Sequence, residues 1–191
     1  MNLRSFTIYD LFKRNARLSK EKTAILVDGK EITFGELFDQ VNILTGWFAS
    51  KGIAKGDRIV VLSKNCPQLF TLMGAIAAKG AIMVPINFRL TIDEIKYVLT
   101  DAEPRMLFFE PDFEKMIPEL SAACPSIKEF IIFSSASQTY TPYDSVMHHQ
   151  PGNPVELSDD DPFVMIHTAA IQGRPRGALV SHRNVVSCSI Q

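Results

Sequence analysis

Four short apolar runs recur through the first two thirds of the chain at nearly equal spacing. They begin at Arg58, Ala81, Arg105 and Lys128, so each starts 23 or 24 residues after the one before it. The runs are rich in β-branched and aromatic residues, as in RIVVLS and RMLFFE, and segments with helical spacing separate them. Such spacing leaves room for one crossover helix between neighbours. The pattern predicts an α/β fold, a mostly parallel sheet covered by helices on both faces.

The segments between these strands carry helix start and stop signals. Pro67 suits the first turn of a helix that would end at Gly80. Thr91 and Glu94 have the spacing of a capping box at the start of the next helix. A third helical segment follows Pro111. These signals predict one helix in each of the three crossovers.

The residues before the repeat predict a helix, a hairpin and a second helix. Thr7 is a suitable N-cap for a short leading helix. The dipeptide Asp28-Gly29 separates two apolar runs, which is typical of a β-hairpin with a two-residue turn. Thr33 opens a capping box, and apolar residues then recur at helical spacing as far as Gly52.

The composition changes after the fourth strand. Residues 134–161 are polar and contain three prolines, so they predict a connection with one helical turn near Tyr143 to Met147. We therefore expect an α/β platform subdomain at 1–133 and, after the connection, a strand–loop–strand unit at 162–191 that begins a second sheet.

The strand–loop–strand unit is the clearest candidate for chemistry. An apolar run from Phe163 ends at Thr168, and a loop with glycines at 173 and 177 and two arginines leads into a second apolar run at 178–180. Backbone N–H groups and guanidinium groups in such a loop can bind an anion, usually phosphate. The spacing is not that of the nucleotide-hydrolase P-loop, since only three residues separate the glycines and no Lys-Ser or Lys-Thr follows. On spacing alone, a plain hairpin with arginine at its tip for solubility is an equal alternative.

The net charge of the chain indicates which partners to expect, and its apolar runs indicate where the protein is located. The formal net charge of the 191 residues is −1, so there is no basic field that would indicate a nucleic-acid partner. No apolar run approaches the roughly 20 residues that a membrane span needs. The first 15 residues are too polar for the core of a signal peptide. We expect a cytoplasmic protein.

Metal and disulfide chemistry have little support. Cys66, Cys124 and Cys188 are far apart and show no C-x-x-C spacing, so we interpret them as buried or indifferent thiols. The pair His148-His149 could bind a metal, but without a second group of ligands a solvated loop is the favoured interpretation. We expect no metal site among these residues.

A resemblance extends over nearly the whole chain. Residues 163–182, FVMIHTAAIQGRPRGALVSH, resemble the phosphate loop of the adenylate-forming superfamily, roughly [YF]-T-S-G-[ST]-T-G-x-P-K-G followed by S-H. Residues 33–68 resemble the T-[YF]-x-E-L … G-[IV]-x-K-G-D-R-V opening of acyl-CoA synthetases. Residues 84–110 resemble their V-P-[LI]-N … L-x-D-[AS] run. The order and separations match as well, which makes the resemblance more specific than the loop alone.

The resemblance implies the first part of the large N-terminal domain of an AMP-dependent ligase. Such enzymes join a carboxylate to AMP from ATP, release pyrophosphate, and pass the acyl group to coenzyme A. ATP, Mg²⁺ and coenzyme A are thereby implied for a full-length acid–CoA ligase. The adenine-binding and magnesium-binding segments and a catalytic Lys would lie beyond Gln191. The catalytic residues are therefore unknown, and we expect the 191-residue chain alone to be inactive.

The resemblance also implies which residues bind the phosphates of ATP, with Arg176 in place of the family's Lys. The full set is Thr168, Ala169, Ala170, Ile171, Gln172, Gly173, Arg174, Arg176 and Gly177. Residues 169–172 replace the family's Ser, Gly and hydroxyl pair, which removes hydrogen bonds worth about 1.5–3 kcal/mol each. His167 occupies an aromatic position, where a structural role is favoured over a contact with phosphate.

Two further expectations follow from the resemblance. A non-catalytic relative, or a binding or assembly module with a degenerate loop, is the alternative to the ligase.

The unit at 163–191 would continue into residues that this chain lacks, which leaves strand edges unpaired and a stripe of Val185, Val186 and Ile190 uncovered. We expect this unit to associate with a second copy of the chain. The carboxylic acid is not identifiable, because later segments would build most of its pocket.

Overall fold

The central sheet is built around β3, which has a parallel neighbour on each side. This computed structural model describes residues 6–168 and 175–188. Within these ranges the strands are β1 Thr23–Val27, β2 Lys30–Thr33, β3 Arg58–Leu62, β4 Ile82–Ile86, β5 Met106–Phe109, β6 Glu129–Ile132, β7 Thr141–Pro142, β8 Pro162–Thr168 and β9 Arg176–Ser181. The helices are α1 Ile8–Leu18, α2 Phe34–Ser50, α3 Pro67–Lys79, α4 Ile92–Ala102, α5 Ile117–Ala123, α6 Tyr143–Val146 and α7 His182–Cys188, and a 3-10 helix spans Pro111–Met116.

The seven-stranded sheet has the order β7-β6-β5-β3-β4-β8-β9. Val60 in β3 lies opposite Val84 in β4 and Leu107 in β5, and all three strands run parallel. β6 is parallel to β5 in turn. The predicted parallel sheet of four strands is therefore confirmed, with one helical segment in each crossover.

Alternate residues of each strand face opposite helical layers, because side chains in a strand alternate between its two faces. Ile59 and Val61 pack in the layer formed by α1, α2 and α3, whereas Val60 and Leu62 pack against α4 and α5. All four side chains are buried. A buried aliphatic side chain contributes about 1.5–3 kcal/mol, so both layers hold the sheet in place.

The predicted helix caps are present. Thr7, Thr33 and Thr91 each form a complete capping box with the acidic residue three positions later. Hydrogen bonds from Thr33 lower the pKa of the Glu36 carboxyl. Gly80 ends α3 in the left-handed region with φ 62°, so the local sequence sets the limits of these helices.

The N-terminal hairpin is a separate two-stranded sheet of β1 and β2. Asp28 and Gly29 have φ values of 49° and 75°. Both central residues of a type I′ turn need positive φ, and Asp-Gly is a favoured pair for it. The predicted hairpin is therefore confirmed, with Val27 opposite Lys30.

β8 and β9 extend the main sheet, whereas the sequence led us to expect a second sheet. β8 pairs in parallel with β4 through Met83 and Val164, and β9 pairs antiparallel with β8. Phe163 is 2% exposed and packs in the core layer of α1 to α3. The free edge of β4 and the burial of this ring explain the docking. The division of the chain at 133/134 and 161/162 stays a prediction.

The connection between β6 and β8 contains more structure than its composition predicts. The expected helical turn is present as α6, and Tyr143 and Val146 are buried in the core. Burial raises the pKa of the Tyr143 hydroxyl far above its ordinary value. β7 was not predicted, because two residues give no periodic pattern. Pro142 is tolerated in β7 because this strand lies at the edge of the sheet.

The helix after β9 is not left uncovered over its described length. Val185 and Val186 in α7 are half-buried and pack against the core of their own chain. This corrects the expectation of an exposed apolar stripe for these two residues. Ile190 lies outside the described residues. None of the helices in residues 6–168 and 175–188 has the length and apolar character that a membrane span requires.

Candidate functional site

The candidate phosphate loop connects β8 to β9. The two strands are antiparallel, and their last pair before the loop joins Thr168 to Arg176. Residues directly opposite each other in a sheet project from the same face. The Thr168 hydroxyl and the Arg176 guanidinium therefore lie on one face of the hairpin, and both residues are exposed. A hydroxyl and a cation so placed can bind an anion together.

Of the nine residues predicted to bind phosphate, the structure describes three, Thr168, Arg176 and Gly177. The other six lie outside the described residues: Ala169, Ala170, Ile171, Gln172, Gly173 and Arg174. Gly177 pairs with His167, and its φ is not positive. A Cβ atom on Gly177 would lie 2.8 Å from Met165 Sδ and 3.2 Å from His167 Nε2. Space for these side chains, rather than backbone conformation, is what this glycine provides.

His167 connects the end of β8 to α4. Its Nε2 atom lies 2.8 Å from Asp101 Oδ2, and its side chain is 5% exposed. The other ring nitrogen, Nδ1, is buried and has no hydrogen-bond partner among the described residues. The sequence left the role of His167 open between a phosphate contact and a structural one. Nε2, the ring nitrogen that forms a contact, is directed at the carboxylate of Asp101.

The segment that follows β9 is held by a group of carboxylates. Arg183 donates two hydrogen bonds of 3.0 Å to the carboxylate of Asp159 and one of 3.0 Å to Asp160. The bond from Arg183 holds the pKa of Asp159 below its ordinary value. The backbone N–H groups of His182 and Arg183 donate to the carbonyl groups of Asp161 and Asp159. The contact between Arg183 and Asp159 was not predicted from the sequence, although three consecutive Asp residues before a strand were a visible signal.

A second polar group lies at the carboxyl ends of β3 and β5. The chain passes from β3 to β4 on one side and later to β5 on the other, and ligands often bind at such a switch point. Ser63, directly after β3, donates a 2.6 Å hydrogen bond to the Glu110 carboxylate, directly after β5. Cys66 Sγ lies 3.5 Å from Ser63 Oγ, and burial raises the pKa of this thiol. The thiol is therefore a weak nucleophile.

Comparison with known proteins identifies the family. The AMP-binding enzyme family matches residues 12–191, which is nearly the whole chain. The chain belongs to the AMP-binding enzyme family. The resemblance found in the sequence is thereby confirmed, and the α/β architecture is that of the N-terminal domain of these enzymes.

Several curated proteins named as CoA synthases or CoA ligases are similar in sequence. A feruloyl-CoA synthase from an Amycolatopsis species is 30% identical over 172 residues, covering 90% of this chain and 33% of that protein. A long-chain-fatty-acid–CoA ligase from Thermus thermophilus is 26% identical over 188 residues, covering 96% of this chain and 35% of that protein. The chain therefore spans about a third of the length of the curated relatives it matches.

Two solved structures with CoA ligase names have the same fold. A putative long-chain-fatty-acid CoA ligase from Rhodopseudomonas palustris aligns with a TM-score of 0.92 at 34% identity, covering 99% of this chain and 48% of that one. The anthranilate CoA ligase AuaEII aligns with a TM-score of 0.88 at 21% identity, covering 94% of this chain and 35% of that one. At 21% identity, the likeness to AuaEII shows a shared fold alone.

Proposed function

We propose that this chain forms the first part of an AMP-forming acid–CoA ligase. In the proposed reaction, a carboxylate oxygen of the acid attacks the α-phosphorus of ATP and the bond to pyrophosphate breaks. The acyl-adenylate then transfers its acyl group to the thiol of coenzyme A, and AMP leaves. The family match and the ligase names of the relatives support this proposal. The observation that carries it is the pairing of Thr168 with Arg176 where the loop begins and ends.

Arg176 has the properties that a phosphate partner needs. It is exposed, and β8–β9 pairing fixes its backbone directly opposite Thr168. A guanidinium group can donate two parallel hydrogen bonds to phosphate oxygens, where the Lys of the family pattern acts as a point charge. In the proposal, Arg176 contacts the β- and γ-phosphates of ATP, and the Thr168 hydroxyl adds a second donor.

Mg²⁺ and coenzyme A belong to the proposal through the family. A bound Mg²⁺ would neutralise charge on the phosphates of ATP. Across residues 6–168 and 175–188, no group of three His, Cys, Asp or Glu side chains is placed to hold a metal ion. We therefore assign only the phosphate contacts to residues of this chain.

Substitution of Arg176 in the whole protein that contains this chain tests the assignment. Arg176→Ala should raise the dissociation constant of ATP by roughly ten- to a hundredfold, since a hydrogen bond to a charged partner contributes about 1.5–3 kcal/mol. Isothermal titration calorimetry measures this constant. Arg176→Lys should recover part of the affinity. Arg14→Ala, which removes an exposed arginine from α1, is the matched control and should bind ATP like the wild type. Equal affinities for Arg176→Ala and the wild type would refute the assignment.

The composition of the loop favours a second candidate, a non-catalytic relative that binds nucleotide without activating an acid. Residues 169–172 read AAIQ and carry no hydroxyl group. Exchange of radiolabelled pyrophosphate into ATP by the whole protein separates the two candidates. The relatives include ligases for feruloyl and long-chain fatty acyl groups, so the acids tested should be both aromatic and long-chain. Exchange with any acid supports the ligase, whereas ATP binding without exchange supports the non-catalytic relative.

A further inference from the structure

The contact between His167 and Asp101 joins two elements that lie far apart in the sequence. Asp101 belongs to the last turn of α4, and His167 is the last residue of β8 but one. Their side chains meet at 2.8 Å across a separation of 66 residues. The His167 side chain is 5% exposed and that of Asp101 40%. The contact is therefore shielded from water on the side of the ring.

The geometry assigns a proton to Nε2 of His167. Asp101 supplies a carboxylate oxygen, which accepts hydrogen bonds, so Nε2–H is the donor. Nδ1 is buried without a partner among the described residues. Among the residues that the structure describes, Nε2 forms the hydrogen bond of this ring, and its partner Asp101 therefore orients the ring.

Gly177 provides the space for this orientation. It lies directly opposite His167 in the β8–β9 pairing. A Cβ atom at this position would come within 3.2 Å of Nε2, the atom that contacts Asp101. A side chain at 177 would therefore crowd the ring and Met165, whose Sδ atom would lie 2.8 Å away.

The partner of His167 sits on a rigid element. Ile95, Val98 and Leu99 of α4 are all at most 2% exposed and pack against the sheet. Asp101 is therefore held by a helix whose apolar side is fixed in the core. The contact transmits this fixed position to the end of β8.

We propose that Asp101 and His167 are positioning residues for the nucleotide site. Their hydrogen bond holds the last pair of the hairpin, Thr168 and Arg176, in the place where these side chains meet the phosphates of ATP. His167 is adjacent to Thr168 in the chain, and Arg176 is adjacent to Gly177. This inference rests on the proposed function, because it concerns the same phosphate contacts.

Variants of both residues in the whole protein test the inference. Asp101→Ala and His167→Phe should each raise the dissociation constant of ATP about tenfold, within the range of measured coupling between residues in contact. The double variant should bind ATP as tightly as either single variant does. His167→Gln, whose amide can donate to Asp101, should recover part of the affinity. Asp93→Ala, at the exposed start of α4, is the matched control and should bind ATP like the wild type.

Two further measurements separate positioning from a purely structural role. The KM for ATP should rise in Asp101→Ala while the KM for the carboxylic acid stays constant. Amide hydrogen exchange in peptides covering Thr168 and Arg176 should become faster in the same variant. Faster exchange with unchanged affinity for ATP would overturn the inference, and so would wild-type behaviour in both measurements.

The wild-type protein distinguishes failure of the inference from failure of the proposed function. If the wild type binds ATP and the variants bind it equally well, the inference is wrong and the proposed function stands. If the wild type does not bind ATP, the proposed function is wrong and the inference falls with it.

Discussion

The imidazole Nδ1 of His182 accepts a 3.3 Å hydrogen bond from the backbone N–H of Ile8, 174 residues earlier in the chain. Ile8 is the first residue of α1, where backbone N–H groups have no partner within the helix. The imidazole ring also stacks on Phe163 with centroids 5.0 Å apart. One fully buried ring thus joins the first helix, β8 and the start of α7.

This contact predicts that stability falls in mild acid. Burial lowers the pKa of His182 below its ordinary value of 6.5, although nearby carboxylates oppose the shift. The unfolded chain therefore binds a proton at this residue more readily than the folded one. The contribution of His182 to the free energy of unfolding is therefore complete above about pH 6.5 and is lost as the pH falls below that value.

Urea denaturation at several pH values between about 7 and 5 measures the slope of the unfolding free energy against pH. His182→Asn should flatten it, because the amide oxygen can accept from Ile8 but does not titrate. His148→Asn, at an exposed position, should leave the slope unchanged. The assignment to His182 fails if His182→Asn shows the same slope as the wild type.

Substitution of Gly46 should also lower the stability of the fold. A Cβ atom on Gly46 would lie 1.9 Å from the carbonyl oxygen of Gln150, so the connection packs directly on the backbone of α2. Gly46→Ala should cost about 1–3 kcal/mol of unfolding free energy. Alanine's higher helix propensity, worth about 1 kcal/mol, offsets only part of the overlap. Asp39→Ala, exposed on the same helix, should change stability by less than about 0.5 kcal/mol. A Gly46→Ala protein as stable as the wild type would contradict the packing.

The 191-residue chain by itself should not form an acyl-adenylate. The proposal assigns phosphate contacts to this chain, and the chain covers about a third of each curated relative described above. Pyrophosphate exchange, measured with this chain and with the whole protein under the same conditions, tests the expectation. Exchange above background by the 191 residues alone, with any carboxylic acid, would show that it is wrong.

We propose that the 191-residue chain associates with a second copy through β9. Among the described residues, β9 pairs only with β8 and leaves its other edge open. Leu179 on this strand is 55% exposed, and an open strand edge with an exposed leucine favours pairing with another chain. Sedimentation velocity at micromolar concentration should show a dimer. Leu179→Lys should weaken it, whereas Leu26→Lys, at a 66% exposed position in the hairpin, should not. A wild-type chain that stays monomeric would exclude the association.

Local signals were sufficient for much of the fold. The Asp28-Gly29 turn, the capping boxes at Thr7, Thr33 and Thr91, and the stop at Gly80 depend on a few adjacent residues. The parallel strands follow from runs long enough to form a strand and spaced for one crossover helix. These features appear in the sequence because the residues that cause them are neighbours along the chain.

The candidate site was predicted only in part. The sequence motif predicts Thr168, Arg176 and Gly177 as phosphate contacts, and this role stays a prediction. The structure places the first two on one face of the hairpin. The motif gave no reason to connect His167 with Asp101 or Arg183 with Asp159. Charged and polar residues are common on any surface, so their pairing is not visible until the chain is folded.

The sequence by itself determined most of the local elements, their order and the family to which the chain belongs. Only the tertiary structure decided that β8 joins the main sheet at β4, that Gly177 makes room for His167, and that His182 caps α1. The physical reason is distance along the chain. Each of these contacts joins groups that are unremarkable in their own sequence neighbourhood, and their interaction exists only where the sheet and its helices bring them together.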